Sequence, residues 1–137
     1  MNNSSDAATL EHINLTVSDP DKAAALLVKL FGWQVRWSGE SMDNGYTVHV
    51  GQENVGGSYL SLYTPEEIAN NPARGHRIKA NLNHIGVIVT DLAKTETRVL
   101  AQGLKTFNHA EYDPGKRFYF LTDDGIEIEV ISYGTSD

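Results

Sequence analysis

His12-Ile13-Asn14-Leu15-Thr16-Val17-Ser18-Asp19 and, 72 positions later, His84-Ile85-Gly86-Val87-Ile88-Val89-Thr90-Asp91 are two copies of one pattern. Both read His-Ile-x-(Leu/Val)-x-Val-(Ser/Thr)-Asp. Self-similarity at a fixed offset means one structural unit used twice. Alternate residues of a strand face opposite sides. Ile13, Leu15 and Val17 therefore share one face, and His12, Asn14 and Thr16 the other. Ile85, Val87 and Val89 repeat the apolar face, with His84 again opposite. Two histidines at equivalent places in related strands suit a site shared by two half-domains.

The flanking sequence repeats too. Strand one is expected at about Leu10 to Val17. Asp19-Pro20 starts a helix, with Asp as N-cap and Pro at the first helical position. Ala23, Leu26, Leu27 and Leu30 form its apolar stripe, and Gly32 ends it. Trp33 to Ser38, Tyr46 to Gly51 and Ser58 to Tyr63 read as strands, separated by the turn-rich stretch Glu40 to Gly45 and by Gly56-Gly57. In the second half, Leu82 to Val89 is a strand, Asp91 caps a helix running to Gln102, and Gly103 stops it. Leu104 to His109, Lys116 to Thr122 and Ile126 to Ser132 are the remaining strands. The unit is strand-helix-strand-strand-strand, twice, over 10–63 and 82–133. The linker 64–81 contains Pro65-Glu66-Glu67-Ile68, read as one helical turn, and the basic run Arg74, His76, Arg77 and Lys79, read as solvated.

Composition sets the bounds. With 137 residues the chain is one domain with room for a real core. A net charge of −7 argues against nucleic-acid binding and leaves a cationic ligand welcome. The chain has no cysteine, hence no disulfide and no thiolate chemistry. Its longest apolar run, Ala23 to Val28, is too short to span a bilayer. Residues 1–9 are polar, without the basic flank and apolar segment of a signal peptide. They read as a disordered tail, and the protein as cytoplasmic and free of membranes.

This doubled unit, with His on the first strand of each copy, resembles the vicinal oxygen chelate superfamily, which includes glyoxalase I, type I extradiol dioxygenases, fosfomycin-modifying enzymes and bleomycin-resistance proteins. The resemblance covers about residues 10 to 133. It is strengthened by Phe118-Tyr119-Phe120-Leu121-Thr122-Asp123-Asp124-Gly125-Ile126-Glu127-Ile128-Glu129. A Glu four residues after the Gly is similar to the family's last strand, whose Glu binds metal. The resemblance implies Glu129 as a ligand, with Glu127 on the same face but two residues early. Gly57 aligns with Gly125, so Ser61 stands where a first-half carboxylate would be. The implied metal set is His12, His84 and Glu129. Two histidines and a carboxylate suit Fe(II) or Mn(II) with open positions, with Zn, Ni or Co as other candidates.

The extradiol dioxygenases are similar further. Their closing stretch has a Phe-Tyr pair, then Thr, Gly and the ligand Glu, at the spacing of Phe118-Tyr119, Thr122, Gly125 and Glu129. The resemblance implies that Tyr119 contacts substrate. It makes His109 an acid/base candidate, one residue farther from the pair than in the family. A three-residue hairpin loop, Asp123-Asp124-Gly125, sets Tyr119 opposite Glu129; a two-residue loop sets Phe120 there. The three-residue loop is preferred, because the other register puts a carboxylate in the core or an aromatic in the cavity. His49, Tyr59 and Ser61 are expected to line the pocket wall, and Trp33 and Trp37 to serve core or interface.

The fold implied is α+β: two βαβββ modules whose curved mixed sheets form an open half-barrel around a central site, helices outside. The expected function is a metal-dependent enzyme acting on a small substrate chelated through two oxygens, extradiol-dioxygenase-like or glyoxalase-like. Ser61 counts against the glyoxalase reading, because a metal-bound Glu normally serves as the base there. The alternative is a metal-free, bleomycin-resistance-like binding protein. A homodimer is expected from the resemblance.

Overall fold

The computed structural model describes residues 7–53, 57–70, 76–112 and 115–133. Residues 1–6 of the expected tail, Gly56 of the Gly-Gly turn, and Asn71, Pro72 and Arg74 of the linker lie outside them. The chain divides into two compact units, Met1–Ile68 and Ala69–Asp137. Each is a four-stranded mixed sheet carrying one helix, and each follows the order strand-helix-strand-strand-strand.

In the first unit, β1 (His12–Thr16) leads into α1 (Pro20–Phe31), then β2 (Gln34–Ser41), β3 (Gly45–Gly51) and β4 (Tyr59–Thr64). Asp19 caps α1, its side chain accepting from the Lys22 amide at 3.1 Å. Gly32 closes the helix at φ 71°, a backbone that costs a side-chain-bearing residue about 1 kcal/mol or more. The buried stripe of α1 is Ala24, Leu27 and Leu30. Leu26 belongs to its edge and is half-buried, as is Ala23. The sheet order is β1-β4-β3-β2, with β1 parallel to β4 and the other pairs antiparallel. Val48, Val50, Leu60 and Leu62 are buried and share the face on which α1 packs.

The second unit repeats this with β5 (Ile85–Ile88), α2 (Leu92–Ala101), β6 (Thr106–Tyr112), β7 (Gly115–Leu121) and β8 (Glu127–Ser132). Asp91 caps α2 through the Lys94 amide at 3.0 Å. The order is β5-β8-β7-β6, with β5 parallel to β8. Phe118, Phe120, Ile128 and Val130 are buried to 2% exposure or less and form the core beneath α2.

Three local expectations are corrected. The stretch 65–68 makes bends and no helical turn. Proline cannot donate there, and nothing apolar but Ile68 is available to pack. Glu40 and Ser41 continue β2 instead of starting the turn, pairing with Tyr46 and Gly45. The tight turn is left to Asp43 and Asn44, both at positive φ, a backbone Asn and Asp tolerate. Trp33 stands just outside β2, its ring 5.1 Å from that of Phe31.

Candidate functional site

Strand register decides which side chains can meet. In the second unit, Tyr119 pairs with Glu129, Phe120 with Ile128, and Phe118 with Val130. The hairpin loop is Asp123-Asp124-Gly125, with Gly125 at φ 84° and Thr122 accepting and donating across to Ile126. This is the three-residue register. Tyr119 and Glu129 therefore share the face away from α2, while both Phe rings enter the core.

His84 immediately precedes β5 and reaches the same face. Its Nε2 lies 3.1 Å from Oε1 of Glu129, and its ring meets Tyr119 edge-on, centroids 5.8 Å apart. The other ring nitrogen, Nδ1, is 2.7 Å from Oδ1 of Asn83. An amide oxygen only accepts, so Nδ1 carries the hydrogen and Nε2 of the neutral ring holds a lone pair. That lone pair faces a carboxylate oxygen. Two acceptors at this distance need a cation between them: a second proton on the ring, or a metal ion. Adjacent ligands roughly 2.1 Å from an ion and at right angles sit roughly 3 Å apart, so the pair fits a divalent ion. The other Glu129 oxygen, Oε2, accepts from Arg117 Nη1 at 2.9 Å. Both side chains are nearly buried, at 11% and 13% exposure.

A cavity of about 420 Å³ opens beside this pair, lined by His76, His84, Arg117, Tyr119 and Glu127 among others. His76 Nε2 is 2.8 Å from Glu127 Oε1, a second histidine–carboxylate pair on this wall. His109 also borders the cavity, but its ring lies toward α2. A bulge between Phe107 and Ala110, with Asn108 at φ 54°, sets Asn108 and His109 against the single residue Phe118. His109 Nε2 then meets Glu96 Oε2 at 2.7 Å, and the Thr106 hydroxyl donates to the same oxygen. Burial raises the Glu96 carboxyl, but the bonds from Thr106 and His109 outweigh it and hold the group below its usual value.

In the first unit, His12 pairs with Tyr59, Asn14 with Ser61, and His49 with Ser61 from the other side. His12, His49, Tyr59 and Ser61 thus share the face away from α1. Their rings form a row: His12 on Tyr59 at 5.1 Å, Tyr59 on His49 at 4.6 Å, His49 on Trp37 at 5.0 Å. Trp37 is half exposed at one end of this row, not in a core. Arg36 covers Tyr59 at 4.8 Å. Burial, with His12 and Arg36 nearby, holds the His49 imidazole below its usual value. His12 repeats the orientation of His84: its Nδ1 is 2.8 Å from Oε1 of the preceding residue, Glu11. With the carboxylate accepting from Nδ1–H, Nε2 of the neutral ring holds the lone pair.

Among the described residues, no three His, Asp or Glu side chains form a metal-holding group. The second unit supplies a pair. Sequence reasoning missed Arg117 and the His76–Glu127 contact, which no local pattern marks. It also missed the acceptor placed before each repeated His, Glu11 and Asn83, which was there to be seen.

The model of the glyoxalase/bleomycin resistance protein/dioxygenase superfamily matches residues 9–130. The chain belongs to that superfamily. Among solved structures it is similar to a glyoxylase/bleomycin resistance protein/dioxygenase domain from Frankia sp. EAN1pec, with TM-score 0.76 and 20% identity over 92% of this chain and 98% of that one. It is similar to the fosfomycin resistance protein FosX of Listeria monocytogenes, complexed with Mn(II) and sulfate, at TM-score 0.70 and 20% identity over 94% of each chain. It is also similar to TnmS3, an antibiotic-binding protein from Streptomyces sp. CB03234, at TM-score 0.67 and 16% identity over 93% and 97%. These likenesses show the fold. No curated protein matches the chain in sequence. No helix among the described residues is long and apolar enough to cross a membrane.

Proposed function

We propose that this chain is a metal-dependent enzyme that binds a small substrate through two neighbouring oxygens, and that its chemistry is extradiol-type oxygenation of a catechol-like compound. The observation that carries the reading is the placement of His84, with Nε2 3.1 Å from Glu129 Oε1 and Nδ1 2.7 Å from Asn83 Oδ1, the acceptor that would take its hydrogen. A ligating His normally donates its other N–H to a fixed acceptor, which is what Asn83 provides. His84 and Glu129 would hold a divalent ion, with Fe(II) or Mn(II) favoured; Zn, Ni and Co are other candidates. His12, oriented the same way by Glu11, is the third ligand expected from the repeat, and its part is decided by metal analysis of His12→Ala. When bound, the ion would polarise substrate oxygens as a Lewis acid.

The chain's own residues do the rest. Arg117 fixes the Glu129 carboxylate by one oxygen and leaves the other to the cation. Tyr119, on the same face, offers a hydroxyl to hydrogen-bond a substrate oxygen and help move its proton. Glyoxalase-like isomerisation stands second, because Ser61 stands where the resemblance expects a metal-bound Glu to serve as the base. The cytoplasmic location and the homodimer belong to this reading.

One observation favours a second class of function. The Arg117–Glu129 pair neutralises the carboxylate without any metal, as a ligand-sequestering protein would need. Oxygen uptake separates the two. Fe(II)-loaded protein given a panel of catechols should consume dioxygen and yield a ring-opened, yellow product. Tight ligand binding by metal-free protein, with no uptake in any metal form, would favour the binding protein.

A further inference from the structure

The second unit holds a histidine that the proposed chemistry leaves unused. His76 precedes β5 by nine residues and belongs to the connection between the repeats. Its Nε2 is 2.8 Å from Oε1 of Glu127, and both residues line the same cavity as His84 and Tyr119. Glu127 is two residues from Glu129 on β8, so both carboxylates point to one face. The two histidine–carboxylate pairs differ in chemistry. Asn83 fixes the tautomer of His84 so that its lone pair faces Glu129. No such fixed acceptor is needed for His76, whose nearest polar partner is the carboxylate itself. Glu127 only accepts, so the shared hydrogen sits on Nε2 and the Nδ1 of His76 holds the lone pair. Glu127 is mostly buried, at 13% exposure, whereas His76 is 56% exposed and open to a ligand. A carboxylate behind an imidazole fixes its tautomer and stabilises the imidazolium once the far nitrogen takes a proton.

We propose that His76 is the proton acceptor of this cavity and Glu127 its positioning residue. A neutral diol must lose protons to bind through two charged oxygens. In the step proposed, the ligand O–H bond breaks, its electron pair stays on oxygen, and the proton forms a bond to His76 Nδ1. The resulting imidazolium is held by Glu127. No oxidant or further reactant is consumed. This rests on the reading that the cavity receives a vicinal diol.

The test uses 4-nitrocatechol, whose visible spectrum reports its ionisation, with the Zn(II)-loaded full chain, in which no oxidation occurs. Binding is followed by absorbance and by calorimetry in two buffers of different ionisation enthalpy, which counts protons released. Wild type is expected to bind the probe fully deprotonated while releasing about one proton fewer than the ionisation requires, the missing proton being on His76. His76→Ala and His76→Gln replace an exposed side chain and leave the core intact. In both, the probe is expected either to keep one proton, seen in the spectrum, or to bind fully ionised with about one more proton released to buffer. Glu127→Ala should move the count the same way. Identical spectra and proton counts in wild type and both His76 variants would overturn the role of His76 while leaving the diol site standing. Absence of probe binding to wild type would overturn the diol reading and the role of His76 together.

Discussion

Replacing Arg117 by Met tests what holds Glu129. Met keeps much of the apolar stem and removes the guanidinium. The Arg117–Glu129 pair spans 2.9 Å with both side chains close to nine-tenths buried. Breaking a buried pair from one side costs roughly 3–5 kcal/mol, against about 0–1 kcal/mol for an exposed pair. Both side chains keep some exposure, and the 3.1 Å contact of His84 with the other Glu129 oxygen remains. The expected loss in chelator-treated protein is therefore about 2–3 kcal/mol, below the full buried-pair figure. For a chain of this size that is roughly a 10 °C fall in Tm. A divalent ion changes the balance. With Arg117 gone, the ion no longer shares Glu129 with another cation, so the variant should bind it more tightly than wild type. Each tenfold gain in affinity closes the stability gap by about 1.4 kcal/mol at saturating metal. The assay is thermal and urea unfolding of both proteins, in chelator and in excess Zn(II). A loss below about 0.5 kcal/mol in chelator would mean that the pair behaves as a surface contact. A gap that stays the same or widens with Zn(II) would refute the competition between Arg117 and the ion.

Three further outcomes follow from the same geometry. Tyr119→Phe should leave metal content unchanged and lower catechol turnover by about 10²-fold, a typical share for a proton-moving group, as measured by oxygen uptake. Equal turnover would remove Tyr119 from the chemistry. Phe120→Ala, at a fully buried position, should cost about 3–5 kcal/mol in urea unfolding. Glu96 has a folded pKa below its usual value of 4.5, so it contributes stability that is present above that value and lost as pH falls through the folded pKa. Glu96→Gln should therefore flatten the acid limb of the stability curve below about pH 4.5, and an unchanged limb would contradict the cause assigned to the shift.

The fold was legible because its signals are local and repeated. Asp19 and Asp91 cap their helices as a short side chain before an apolar stripe should. Gly125 at φ 84° forces the loop whose length fixes Tyr119 opposite Glu129. One-residue errors would have exchanged core for cavity, and the apolar alternation of Phe118, Phe120, Ile128 and Val130 allows only one answer. Parts of the site were not legible. Arg117 and Glu129 are 12 residues apart and meet diagonally across a strand pair. His76 and Glu127 are 51 apart, and the histidine lies in a stretch whose composition suggests only solvation. The bulge at Asn108 turns His109 toward Glu96, and nothing in the sequence around it marks that extra residue as bulged. A side chain's partner is set by tertiary contact, and sequence periodicity reports only the face.

Metal content is the most direct test of the central claim. Wild type purified without chelator and dialysed against Mn(II), Fe(II) or Zn(II) should retain up to one ion per chain by elemental analysis. His84→Ala and Glu129→Gln, each removing one donor of the pair, should retain almost none while keeping the wild-type circular dichroism spectrum. Undiminished metal in folded His84→Ala protein would contradict the assignment of the cation to His84 and Glu129.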